Sequence, residues 1–208
     1  MIVVVDLGVS NVRSVVRAFG RVGHEVTSTT ARADVERADV IVLPGVGAFR
    51  DGMARLHELG LVDVLRRAAL DEGVPLAGIC LGMQLLADES FEHGRHEGLG
   101  IVPGSVVPLE PGPGDRVPNI GWSDLHLERT SSLPPALHSQ AAYFVHSFHL
   151  SCESAADVAA TIDFGSGRIT AAVERGSCLG VQFHPEKSQD VGLSVLRAMV
   201  GSVDERVA

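Results

Sequence analysis

The chain opens on a continuous apolar run, Ile2 to Val5, and runs of the same kind return at Val40 to Leu43 and Val74 to Ile79. Unbroken valine and isoleucine, in place of apolar-polar alternation, predicts strands covered on both faces, as in a parallel sheet. Apolar residues at helical spacing predict helices near Asn11 to Arg21, Phe49 to Leu59 and Leu61 to Asp71, with a further strand at Glu25 to Ser28. This βαβ rhythm predicts an α/β fold: a flavodoxin-like, doubly wound, mostly parallel sheet with helices on both faces. Its site is expected at the carboxyl ends of the strands, where Asp6, Cys80 and His184 fall. Past Gly100 the runs shorten and alternate, at Asp124 to Leu127, Tyr143 to His146, Ala156 to Ile162 and Ile169 to Glu174, which predicts an additional antiparallel region. Glu110 to Asp115, rich in proline and glycine, reads as a loop, and Asp190 to Val200 as a last helix with Val191, Val195 and Met199 on one face.

The strand Val74 to Ile79 runs into Gly78-Ile79-Cys80-Leu81-Gly82, and Leu81 to Ala87 reads as the first turns of a helix. Gly-x-nucleophile-x-Gly is the spacing of a strand-to-helix elbow, where small flanking residues allow close approach and the central side chain is pushed out of the sheet. A thiol at a helix N-terminus is favoured as thiolate, its pKa falling from ~8.5 to roughly 3.5–7.5 in such settings. The amide of Leu81 would then face a developing oxyanion. Far along the chain, the strand-like run Cys178 to Phe183 ends in His184-Pro185-Glu186. Histidine and glutamate two residues apart can emerge on one side, the imidazole taking the thiol proton and the carboxylate fixing its tautomer. Cys80, His184 and Glu186 are therefore the candidate catalytic residues. Cys152 and Cys178 lack these surroundings and read as structural thiols.

Composition narrows the partners. The 208 residues suit one packed domain, 1–208, with 45% hydrophobic content, while a net charge of −9 without a basic cluster argues against nucleic acid or an anionic membrane. Three dispersed cysteines fit neither a disulfide framework nor zinc, and no cofactor or metal is expected. No basic lead or long apolar segment appears, so a soluble cytoplasmic protein is expected.

The elbow Gly78-Ile79-Cys80-Leu81-Gly82-Met83-Gln84 and the His184-Pro185-Glu186 segment resemble class I, triad-type glutamine amidotransferases. Pro44-Gly45-Val46-Gly47, Pro118-Asn119-Ile120-Gly121-Trp122, Tyr143-Phe144-Val145-His146-Ser147 and His184 to Ser188 resemble the glutaminase subunits of imidazole glycerol phosphate synthase, a likeness that spans almost the whole chain. The resemblance implies that Cys80 releases ammonia from glutamine through a γ-glutamyl thioester, with His184 as base and acid and Glu186 as its orienter. It implies an oxyanion hole from the backbone of Leu81 and of Val46 or Gly47. It also implies glutamine recognition by Gln84, by Glu92 for the amino group and by Ser147 and Phe148 for the carboxylate. The residues themselves leave other readings open. Gln84 could face solvent, Glu92 sits in a charged stretch typical of a solvated face, Ser147 could cap backbone, and His146 and His149 read as structural. The implied partner is a cyclase subunit with a (β/α)₈ barrel, forming a heterodimer that serves histidine biosynthesis. Asn11, Asn119, Trp122 and Lys187 match positions at that interface, although a core tryptophan and a free surface lysine are the plainer readings of the last two.

Overall fold

A computed structural model describes residues 1–8 and 11–207. In chain order the elements are β1 (Ile2–Val5), α1 (Val12–Arg21), β2 (Val26–Thr29), α2 (Arg32–Val35), β3 (Val40–Gly45), α3 (Phe49–Glu58), α4 (Val62–Leu70), β4 (Leu76–Cys80) and α5 (Leu81–Gln84). They continue with β5 (Ala87–Ser90), β6 (His96–Glu97), β7 (Val102–Pro108), β8 (Asn119–Asp124), β9 (His126–Leu127), β10 (Ala141–His146) and β11 (Phe148–Cys152). The last are β12 (Val158–Phe164), β13 (Gly167–Arg175), β14 (Cys178–Val181) and α6 (Gln189–Val207).

The main sheet has the order β2-β1-β3-β4-β14-β13-β12-β9. Its first five strands are mutually parallel and the last three pair antiparallel. Alternate residues of one strand go to opposite faces, and the core divides accordingly. Ile2 and Val4 join Phe19 and Leu196 on one side of the sheet, while Val3 and Val5 join Phe49 and Leu65 on the other. The mostly parallel sheet covered on both faces is the architecture that the apolar runs predict. A four-stranded sheet, β11-β7-β5-β6, and a separate pair, β10-β8, supply the antiparallel additions.

Three local expectations are corrected. The helix after Cys80 is one turn long and not the start of a longer one, because Leu99 donates to the carbonyl of Leu85, Ile101 and Val102 to that of Leu86, and Gly100 to that of Ala87. Those bonds draw Ala87 into β5. An all-apolar run carries no periodicity that separates a buried helix from a buried strand. Second, Glu186 does not alternate along a strand with His184. Pro185, with its fixed φ, opens a 3₁₀ turn, Pro185–Lys187, and the turn brings the carboxylate back to the ring. Third, the predicted strand Asp124 to Leu127 is broken at buried Leu125 into the ends of β8 and β9.

Candidate active site

β4 and β14 lie side by side in parallel, Ile79 opposite Val181, so their carboxyl ends deliver Cys80 and the segment leading to His184 to the same edge. Cys80 has φ +54°, the left-handed region that a side chain with a Cβ occupies only under strain, as at a nucleophile elbow. The flanking glycines are required by close approach. A Cβ on Gly82 would stand 1.7 Å from the Leu43 carbonyl oxygen, and one on Gly78 would stand 2.8 Å from the Met83 backbone. Leu81 begins the short helix, so its amide has no acceptor within that helix.

His184 is anchored through its own amide, which donates to the Tyr143 carbonyl at 2.9 Å. The following turn is tied by Ser188, whose hydroxyl donates to the His184 carbonyl at 2.7 Å and accepts from the Tyr143 amide at 3.0 Å. Nδ1 of His184 lies 2.8 Å from Oε1 of Glu186. Burial pulls the imidazole pKa down, but the hydrogen bonds and charges of Cys80 and Glu186 outweigh it and raise it to about 9. Nε2 has no partner of regular hydrogen-bond geometry among the described residues.

Cys80 and His184 open onto one cavity of about 460 Å³, and Val46, Gly47, Leu81, Gln84, Glu92, Ser147, Phe148 and Lys187 line it with them. Gly47 has φ +100°, free for a backbone that must turn tightly beside the thiol. Glu186 stands behind the ring. Gln84 is buried and not solvent-facing: its side-chain nitrogen donates to the Phe148 carbonyl at 2.9 Å. Glu92 belongs to the site and not to a solvated face, and one of its oxygens accepts from the Phe49 amide at 2.6 Å, capping α3. A separate cavity of about 540 Å³ lies by Pro75 and Cys178, at the opposite ends of β4 and β14. Burial pushes Cys178 up to about 12 there, and burial with the Asp157 charge pushes Cys152 up to about 11, so neither thiol is poised to ionise.

The four residues matched to a partner surface are spread differently. Asn11 caps α1, accepting from the Ser14 amide at 3.4 Å. Asn119 turns inward, its amide 3.2 Å from Nε2 of His146. Trp122 is half exposed, edge-on to Tyr143 with ring centroids 5.9 Å apart, and Nζ of Lys187 lies 5.6 Å from the Tyr143 ring centroid. Two site residues escaped the sequence reading. His146, read as structural, lines the cavity, and burial lowers its pKa to about 4. Gln182 is fully buried and lies 3.7 Å from the Cys80 sulfur. A lone glutamine inside the apolar run Cys178 to Phe183 was the available signal.

The fold and this edge define an α/β protein organised around an elbow cysteine. A family model described as glutamine amidotransferase class-I matches residues 3–198, and the chain belongs to that family. It is 45% identical over 206 residues to the "Imidazole glycerol phosphate synthase subunit HisH" of Syntrophotalea carbinolica, covering 95% of this chain and 98% of that one. The Aquifex aeolicus protein of the same name is 43% identical over 93% of each chain. Among solved structures, one titled "Crystal structure of glutamine amidotransferase" has a TM-score of 0.74 at 24% identity, covering 96% of this chain and 98% of that chain. "Structure of PurLQS from Thermotoga maritima" has a TM-score of 0.73 at 21% identity, covering 97% and 98% respectively; both likenesses establish the fold.

Proposed function

We propose that this chain is the glutaminase subunit of an imidazole glycerol phosphate synthase, hydrolysing glutamine at Cys80 and passing ammonia to a cyclase partner. The observation that carries the reading is the opening of Cys80 and His184 onto one cavity, with Glu186 2.8 Å behind the ring, in a family whose members act on glutamine as amidotransferases.

In this mechanism the Cys80 thiolate attacks the side-chain amide carbon of glutamine. A ring that holds its proton to about 9 is already the acid that the first step needs. The proton thus rests on the imidazole, where the sequence alone suggested a neutral ring taking it from the thiol. The tetrahedral oxyanion is met by the amide of Leu81 and by the backbone of Val46 or Gly47, where one donor typically contributes about 10²–10³ in rate. Collapse expels ammonia with the proton of His184. The neutral ring then draws a proton from water, which attacks the γ-glutamyl thioester and frees glutamate and the thiolate. Gln84, with both N–H groups turned to protein acceptors, offers its oxygen to the substrate. Glu92 faces the substrate amino group and Ser147-Phe148 its carboxylate.

The partner is a (β/α)₈ cyclase subunit, and the complex is a heterodimer. The exposed side chains of Ile120 and Trp122, with Lys187 and Tyr143 beside them, support a docking face next to the cavity, so that ammonia leaves toward the subunit that uses it. The cysteines are free, in keeping with a cytoplasmic setting. No helix among the described residues is long and apolar enough to cross a membrane.

The deciding experiment is glutamine hydrolysis by Cys80→Ala, with and without the cyclase and its nucleotide ligand. Hydrolysis is expected to vanish while complex formation persists, and the unaltered chain is expected to speed up on assembly. Ordinary ammonia release by the variant would overturn the assignment.

A further inference from the structure

A chain of side-chain amides with one fixed polarity runs from the substrate wall to the sulfur. Gln84 Nε2 donates to the Phe148 carbonyl at 2.9 Å and to Oε1 of Gln182 at 3.0 Å. An amide nitrogen has two N–H groups, and a carbonyl oxygen can only accept, so Phe148 fixes which way Gln84 faces. Gln84 in turn obliges Gln182 to present its oxygen to Gln84 and its nitrogen to the sulfur, 3.7 Å from Sγ of Cys80. Gln182 is sealed from water, and its own amide donates to Ala171 at 2.8 Å, so both ends of the residue are held.

We infer that Gln182 is a positioning residue: its side-chain amide, oriented by Gln84, holds the Cys80 sulfur as a hydrogen-bond acceptor and ties the glutamine wall to the nucleophile. An N–H donor bonds a thiol weakly and a thiolate strongly, because the charged acceptor makes the bond charge-assisted. Gln182 therefore acts on the sulfur from a second direction, separate from His184, and keeps Sγ aimed while the ring is occupied with the leaving group. A ligand that moves Gln84 is felt at the sulfur through two hydrogen bonds, and one that moves Phe148 through three. This role rests on the reading of Cys80 as nucleophile.

The test is the pH dependence of iodoacetamide alkylation of the Cys80 peptide, read by mass spectrometry on the full chain without glutamine. Gln182→Met keeps length and removes the donor. The groups surrounding the sulfur, His184 with Glu186 behind it and Glu92, His93, His146 and Lys187 around the cavity, are the same in both proteins. The alkylation midpoint is expected to rise by about one pH unit, and kcat for glutamine to fall about tenfold with KM little changed. Gln182→Glu, which keeps the oxygen toward Gln84 and sets a carboxylate against the sulfur, is expected to raise the midpoint further. A folded Gln182→Met with the original midpoint and kcat would overturn the inference. Should that variant not fold, Gln84→Met decides, since it frees the Gln182 amide to turn; an unmoved midpoint there overturns it equally. Failure of Cys80 as nucleophile is separate, and shows as ammonia release by Cys80→Ala.

Discussion

Glu186 stands 2.8 Å behind His184, and each side chain is only 4% exposed. A buried carboxylate beside a buried ring favours the charged ring, and against the pull of burial Cys80 and Glu186 together raise the imidazole above its ordinary 6.5 to about 9. Among the described residues, Nε2 has no hydrogen-bond partner.

Glu186→Gln keeps the shape but removes the charge. The ring pKa should drop, and the acid needed for ammonia departure should then be lost at lower pH. The alkaline limb of glutamine kcat, expected near 9 in the parent, should move toward neutrality, and kcat at neutral pH should fall by about 10²-fold. A pH-rate profile of the assembled complex checks both.

The elbow glycines permit a sharper stability test. Gly82→Ala drives a methyl group to 1.7 Å from the Leu43 carbonyl oxygen, where only backbone can give way. It should destabilise the fold by at least about 2 kcal/mol, seen as a lower denaturant midpoint with glutaminase activity lost. Gly45→Ala meets only the Leu81 side chain, at 3.0 Å, and should lose about 1 kcal/mol or less. Equal losses in the two variants would contradict this account of the elbow.

The sequence made β1, β3, β4 and β14 legible, because strands buried on both faces are written as unbroken apolar runs, and the elbow followed from glycine spacing. It concealed β5 and β7. Leu85, Leu86 and Ala87 are apolar whichever element they enter, and the bonds that settle the matter come from residues 99–102. It also concealed Gln182 and His146. Their roles arise from partners brought together only by folding, Gln84 lying 98 residues before Gln182 and Asn119 27 residues before His146. The His184-Glu186 pair was found with the wrong backbone, since a turn and an alternating strand can both bring residues two apart to one side.

His146 gives the fold an acid-sensitive point. Burial lowers it to about 4, against a contribution from the Phe148 carbonyl that raises it, and the charges of His149 and His184 lower it further. The unfolded chain binds the proton near 6.5, so between 6.5 and 4 the unfolded state holds more protons and stability falls as pH falls. The loss is on the order of 3 kcal/mol at most over that window. His184 has the opposite sign: its contribution is complete below 6.5 and fades as pH rises through about 9. His146→Gln should flatten the acid side of a denaturation-against-pH curve and leave the alkaline side in place. An unchanged acid slope would show that His146 stays neutral in neither state.

The partner surface is tested through β8. Its outward residues alternate, so Ile120 (61% exposed) and Trp122 (50%) project together while Asn119 turns back to His146. Single exposed apolar residues are ordinary, but an isoleucine and a tryptophan adjacent on one face, rimmed by Tyr143 and Lys187, make an anchor of the kind that dominates interfaces. Trp122→Ala should weaken cyclase binding by about 2 kcal/mol, roughly 30-fold, in a calorimetric titration, with the thermal midpoint of the free chain nearly unchanged. Leu70→Ala removes a side chain just as exposed, 51%, but on α4, and should leave the affinity within about twofold. Equal effects at the two positions would place the cyclase elsewhere on the surface. A selective loss at Trp122 would seat it on β8, whose inward face reaches the cavity through Asn119 and His146.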